Sequence, residues 1–143
     1  MGGIMSTQKL MCLNASIIMM LGFIGGLMIG LADQGGASGP HPGWSLAHME
    51  GITNSLVVFA VAPCLNYLNL TVGRIRLVGW CLILMGYCNV TFGFIRAITG
   101  AHGYTFDTSF WNNVMTLAGM LGVPLGGVAF CVIAYGALKR DPV

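Results

Sequence analysis

Charge is confined to a few points along this chain. Lys9 and Asp33 bracket a long apolar run, and no charged residue lies between Glu50 and Arg74, between Arg76 and Arg96, or between Asp107 and Lys139. A helix needs roughly 20 apolar residues to cross the hydrocarbon of a bilayer, so each run is long enough for one crossing. The spacing predicts spans over about residues 10–31, 44–68, 77–98 and 110–138 of the 143. The expected fold is an all-α integral membrane protein, a single domain forming a four-helix transmembrane bundle.

Composition removes the competing classes. Hydrophobic residues make up 56% and charged residues 7%, with a mean hydropathy of +0.82. A soluble domain carries about 25% charged residues, and disorder requires low hydrophobicity with high charge. A net charge of +2 on scattered sites makes no basic patch, so the lipid bilayer is an expected partner and nucleic acid is not. The five cysteines, Cys12, Cys64, Cys81, Cys88 and Cys131, form no C-x-x-C pair. A disulfide framework, a thiolate zinc site and covalent c-type haem are thereby set aside, and the thiols read as small apolar side chains. The first run is long for the apolar core of a secretory signal and lacks a small-x-small cleavage site.

Basic residues set the orientation. Lys9, Arg74, Arg76, Lys139 and Arg140 fall on one side of a four-span chain and only Arg96 near the other. The excess of cations on cytoplasmic loops then puts both termini inside. The linker Ala32 to Gly43 is rich in Gly, Ser and Pro, and the polar loop Thr99 to Ser109 offers Asp107 or Ser109 as a cap for the fourth span. Pro63 and Pro124 suggest bends. Gly22, Gly26 and Gly30, and again Ala118, Gly122 and Gly126, recur every fourth residue. Such stripes permit close helix contact within or between subunits, and a homo-oligomer is expected.

Polar groups inside a bilayer mark candidate sites because they are expensive there. The densest stretch is His48-Met-Glu50-Gly-Ile-Thr-Asn54. At about 100° per residue, Glu50 and Asn54 share a face while His48 points nearly opposite Glu50. A neutral imidazole at position 48 suits a metal or haem iron, and it equally suits an interfacial histidine bonded to a neighbouring segment. Glu50 reads either as a functional acid or as a structural partner of Arg96, the cation on the same side. On the third span Asn89 and Arg96 share a face with Gly93 between them. That face is either a cavity wall with a basic rim, fit for carboxylates, or ordinary interhelical packing with a snorkelling arginine. His41 and His102 lie in loops and read as uninvolved.

The run Trp44-Ser-Leu-Ala-His48-Met-Glu50-Gly-Ile-Thr-Asn54-Ser, then Gly86-Tyr-Cys-Asn89-Val and Gly103-Tyr-Thr-Phe106, resembles a small bacterial family of four-span membrane isomerases. That family contains hydroxylaminobenzene mutase and, more distantly, styrene oxide isomerase. The resemblance covers about residues 44–138 and, more loosely, the first span. It implies a multi-pass protein of the bacterial inner membrane and, from the styrene oxide isomerase branch, a homotrimer with haem b at its subunit interfaces. His48 matches the axial ligand of that branch, Asn54 an asparagine on the substrate side, and Asn89 an asparagine of the third span. The branch carries a tyrosine and an aspartate where this chain has Gly93 and Met85, whereas the A-H-[LM]-E-G form containing Glu50 resembles the mutase branch.

The expectation drawn from that resemblance is a redox-neutral mutase converting an aryl hydroxylamine to a 2-aminophenol, with ferric haem on His48 as Lewis acid. Asn54 and Asn89 would orient the substrate, Glu50 would move a proton, and Arg96 would serve the haem carboxylates. The alternatives are an epoxide isomerase converting an aryl epoxide to an aldehyde, and a haem-binding membrane protein without catalysis.

Overall fold

A computed structural model describes residues 2–36 and 41–139, without the side chains of residues 2–6 and of His41. Ser38, Gly39 and Pro40 of the expected linker, Arg140, and the His41 side chain lie outside the described residues. The chain forms α1 (Gly2–Asp33), α2 (His41–Cys64), α3 (Val72–Thr99) and α4 (Phe110–Leu138). Each contains a stretch long and apolar enough to cross a membrane, and no strand occurs among the described residues. The protein is all-helical, as the spacing of charges predicts.

α4 coincides with its predicted span, whereas α1 and α3 outrun theirs at both ends and α2 at its start, because apolarity locates only the part suited to hydrocarbon while backbone hydrogen bonding continues into polar sequence. Lys9 therefore sits within α1, and Arg74 and Arg76 lie in the opening turns of α3, all three exposed. The Arg74 guanidinium stacks over the Tyr135 ring at 4.5 Å, tying the start of α3 to the end of α4. At Pro63 the expected mid-span bend is instead a helix end. α2 stops at Cys64, and Leu65–Tyr67 tighten into a 3-10 turn with Leu65 fully buried. Pro124 is accommodated inside a continuous α4. Of the two expected caps, Ser109 is the one that closes the head of that helix, with Asp107 bracing the turn before it. Ser109 Oγ accepts from the Asn112 backbone N–H, and Asp107 Oδ1 accepts from that of Ser109.

α3 is the central element. It packs against α1, α2 and α4, whereas α4 leans chiefly on α3. The core gathers Met11 and Ala15 of α1, Val58 and Ala62 of α2, Val78, Leu82 and Ile83 of α3, and Ala129 of α4. The outward faces of α1 and α4 carry Leu13, Phe23, Leu27, Leu117, Val123 and Phe130 exposed. Such faces suit a hydrocarbon surround, where leaving apolar side chains outside carries no hydration penalty.

Both small-residue stripes are used within the chain, so they no longer argue for contacts between subunits. A Cβ on Gly22 would lie 2.9 Å from the Gly51 backbone, and one on Gly122 2.7 Å from Asn89 Oδ1. Gly30, at the open end of the first stripe, would meet nothing within 4 Å. Gly22→Leu is therefore expected to lower stability by about 1–3 kcal/mol, because a backbone cannot swing aside as a side chain can. Gly30→Leu should stay within about 0.5 kcal/mol of the parent. Thermal unfolding of the two variants in detergent checks this; equal melting temperatures would mean that the α1–α2 crossing tolerates side chains.

Candidate active site

His48 lies two turns into α2, where the helix runs close against glycines of α1. A Cβ on Gly25 would come 2.8 Å from the His48 backbone nitrogen, and one on Gly26 2.8 Å from Nδ1 of its ring. Removing those carbons makes a seat for the imidazole, which is half-buried with Nδ1 2.9 Å from the Gly22 carbonyl oxygen. A carbonyl can only accept, so Nδ1 carries the proton and donates. The Nε2 lone pair is thereby the ring's available donor to a metal. This tautomer, fixed through the opposite nitrogen, is the arrangement that metal-binding histidines use.

The opposite face of α2 carries a chain of amides ending on a carboxylate. Asn89 Nδ2 on α3 donates to Asn54 Oδ1 at 3.0 Å. Asn54 Nδ2 in turn donates at 2.8 Å to Glu50 Oε2 and at 2.8 Å to the Glu50 carbonyl oxygen. Asn54 is 5% exposed, and burial makes such a link costly to break. Asn89 Oδ1 is backed by Gly122 of α4, where no side chain intervenes. The helical wheel's separation of His48 from Glu50 and Asn54 is therefore real in space: imidazole towards α1, carboxylate and amide towards α3.

Glu50 and Asn89 border a cavity of about 370 Å³, open on one side, whose other walls are Phe92, Gly103, Tyr104, Thr116, Gly119, Met120 and Val123. It lies at the end of the bundle where α2 and α4 begin and α3 finishes. Asn54, expected to orient substrate directly, is absent from this lining; it stands behind Glu50 and joins it to Asn89. Arg96 is also absent from it, and Glu50 is held by Asn54 rather than by that arginine. Nor is Gly93 a gap in a cavity wall. A Cβ there would fall 2.6 Å from Ala47 Cα, so the backbone of α2 fills the space and no tyrosine fits at position 93 in this packing. Met85 turns to α4, with its sulfur 2.6 Å from where a Gly126 Cβ would be.

Five lining residues, Phe92, Thr116, Gly119, Met120 and Val123, escape a reading of the sequence because they look like ordinary packing residues. Gly103 and Tyr104 belong to a run that carries the family resemblance, but their place at the cavity depends on hydrogen bonds to α4 that no local pattern announces.

The family model for styrene oxide isomerase matches residues 7–138. A styrene-oxide isomerase of Pseudomonas fluorescens is 32% identical over 71% of this chain, and the match spans 63% of that relative's length. The matched region includes all four apolar helices, the His48 seat, the Glu50–Asn54–Asn89 chain and the cavity. This chain belongs to the styrene oxide isomerase family.

Proposed function

We propose that the protein is a membrane-embedded isomerase that converts an aryl epoxide to the corresponding aldehyde. The reading is carried by one observation, a carboxylate held by a buried amide at the edge of an otherwise largely apolar cavity. The family match favours epoxide opening over the hydroxylamine rearrangement expected from the sequence. The contrast drawn from Gly93 and Met85 also loses force, since both positions are committed to helix packing.

In the reaction the benzylic C–O bond breaks, a hydride moves from the neighbouring carbon to the benzylic carbon, and the oxygen closes a C=O bond. Atoms and electrons balance without an oxidant or reductant. Glu50 offers negative charge towards the carbon that becomes cationic, an effect strengthened where water is scarce. Asn54 keeps that carboxylate from turning away, and Asn89 anchors Asn54 from α3. Phe92, Met120 and Val123 hold the arene and limit water, which would otherwise trap the cation as a diol.

His48 fits the haem b that the resemblance implies, because its protonated Nδ1 leaves Nε2 able to ligate iron. When bound, ferric haem would supply a Lewis acid to the substrate oxygen; because His48 faces α1 and Glu50 faces α3, the haem on one subunit would serve the cavity of a neighbouring one. Arg96, half-buried in the last turn of α3, would serve the haem carboxylates. We further place the protein in the bacterial inner membrane as a homotrimer with both termini cytoplasmic, on the family resemblance and the distribution of basic residues.

Detergent-purified protein should turn styrene oxide into phenylacetaldehyde with no added redox partner. Conversion of phenylhydroxylamine to 2-aminophenol instead, with styrene oxide left untouched, would replace this reading by the mutase. Haem binding with neither reaction would replace it by a non-catalytic haem protein.

A further inference from the structure

The loop between α3 and α4 carries a large aromatic side chain to the cavity and is fastened on both flanks. Gly103 donates its backbone N–H to Asn112 Oδ1 at 2.8 Å, and Asn112 Nδ2 donates to the Thr105 carbonyl at 2.7 Å. One amide, on a residue only 6% exposed, thus grips the chain immediately before and after Tyr104. The Thr116 hydroxyl adds a contact of 3.3 Å to the same Thr105 carbonyl. Gly103 has a φ of +72°, and a Cβ there would lie 2.5 Å from the Met115 side chain, so this turn requires glycine. The Tyr104 ring is thereby brought to the Phe92 ring, with centroids 6.0 Å apart and planes inclined at 59°. Both rings line the cavity that Glu50 and Asn89 border.

We propose that Tyr104, with Phe92 beneath it, is the specificity-determining residue of the site, selecting a flat aromatic ring over a saturated one of similar size. The ring is 75% exposed, an arrangement with little to add to folding and much to offer a ligand that covers it. Two inclined aromatic faces present their π-clouds and edges to the same volume, and an arene there gains edge-to-face or offset contacts that a cyclohexyl group lacks. Asn112 is a positioning residue that acts through Tyr104. The inference rests on the isomerase reading for its substrate, but the preference for an arene is measurable without turnover.

The test compares parent, Tyr104→Ala and Tyr104→Phe as full-length protein in detergent. Binding of two inert alcohols, 2-phenylethanol and 2-cyclohexylethanol, is measured by saturation-transfer NMR, alongside kcat and KM for styrene oxide. The parent should prefer the phenyl alcohol by about two- to tenfold, the range of an aromatic pair. Tyr104→Ala should erase that preference and raise KM more than it lowers kcat, while Tyr104→Phe should keep the preference. An undiminished phenyl preference in Tyr104→Ala, its loss in Tyr104→Phe, or its absence in the parent overturns the proposal. If the parent binds 2-phenylethanol selectively but leaves styrene oxide unchanged, the isomerase reading fails and the arene site stands.

Discussion

Purified His48→Ala protein is expected to lose its Soret absorption and its isomerase activity together. The imidazole is lost without disturbing the helix, because alanine is the best helix former, and the Gly22 carbonyl keeps its place in the α1 ladder. Free imidazole added to the variant should restore part of the absorption by entering the vacated seat. His102→Ala, in an exposed loop, should absorb like the parent. A Soret band of parental intensity in His48→Ala without added imidazole would exclude this residue as the ligand.

Glu50→Gln should separate binding from chemistry. Glutamine has the same shape and can still accept the Asn54 N–H through its amide oxygen, so the chain from Asn89 is preserved. What disappears is the negative charge at the cavity edge. Turnover is expected to fall about 10²–10⁴-fold, the usual worth of a positioned acid–base or charge-stabilising group, with absorption unchanged and KM moving little. A kcat within about threefold of the parent would relegate Glu50 to a structural role.

The fold was legible wherever a single physical variable decided it. Hydrocarbon thickness and the scarcity of charge give four crossings from the sequence alone, and the 100° step of a helix separates His48 from Glu50 and Asn54 before any tertiary contact is known. Legibility ended where one helix had to meet another. Gly93 reads equally well as an opening or a close crossing, because a missing Cβ serves both, and only the approach of Ala47 decides between them. Asn89 could be picked out as polar and intramembrane, but its partner was fixed by the α2–α3 register. The glycine stripes showed that something came close without showing that it was α2 and the His48 ring for the first stripe and α3 for the second. Tyr104 stood out as part of a family-like run, but its place at the cavity was hidden, since it depends on a side chain eight positions later gripping the backbone on either side of it.

The hydrogen bond from His48 to the Gly22 carbonyl has a consequence for how this site can change over generations. Metal-binding histidines are often oriented by a carboxylate or amide side chain, and a single codon change can erase such a partner. Here the acceptor belongs to the main chain, and no substitution at position 22 removes it. Mutation can reach the imidazole's orientation sterically, by planting a carbon at Gly22, Gly25 or Gly26, where the nearest atoms of α2 would be 2.8–2.9 Å away, or at Gly51, where it would strike the Gly22 backbone itself. The genetic fragility of the histidine's tautomer therefore rests on four codons that encode no chemistry at all.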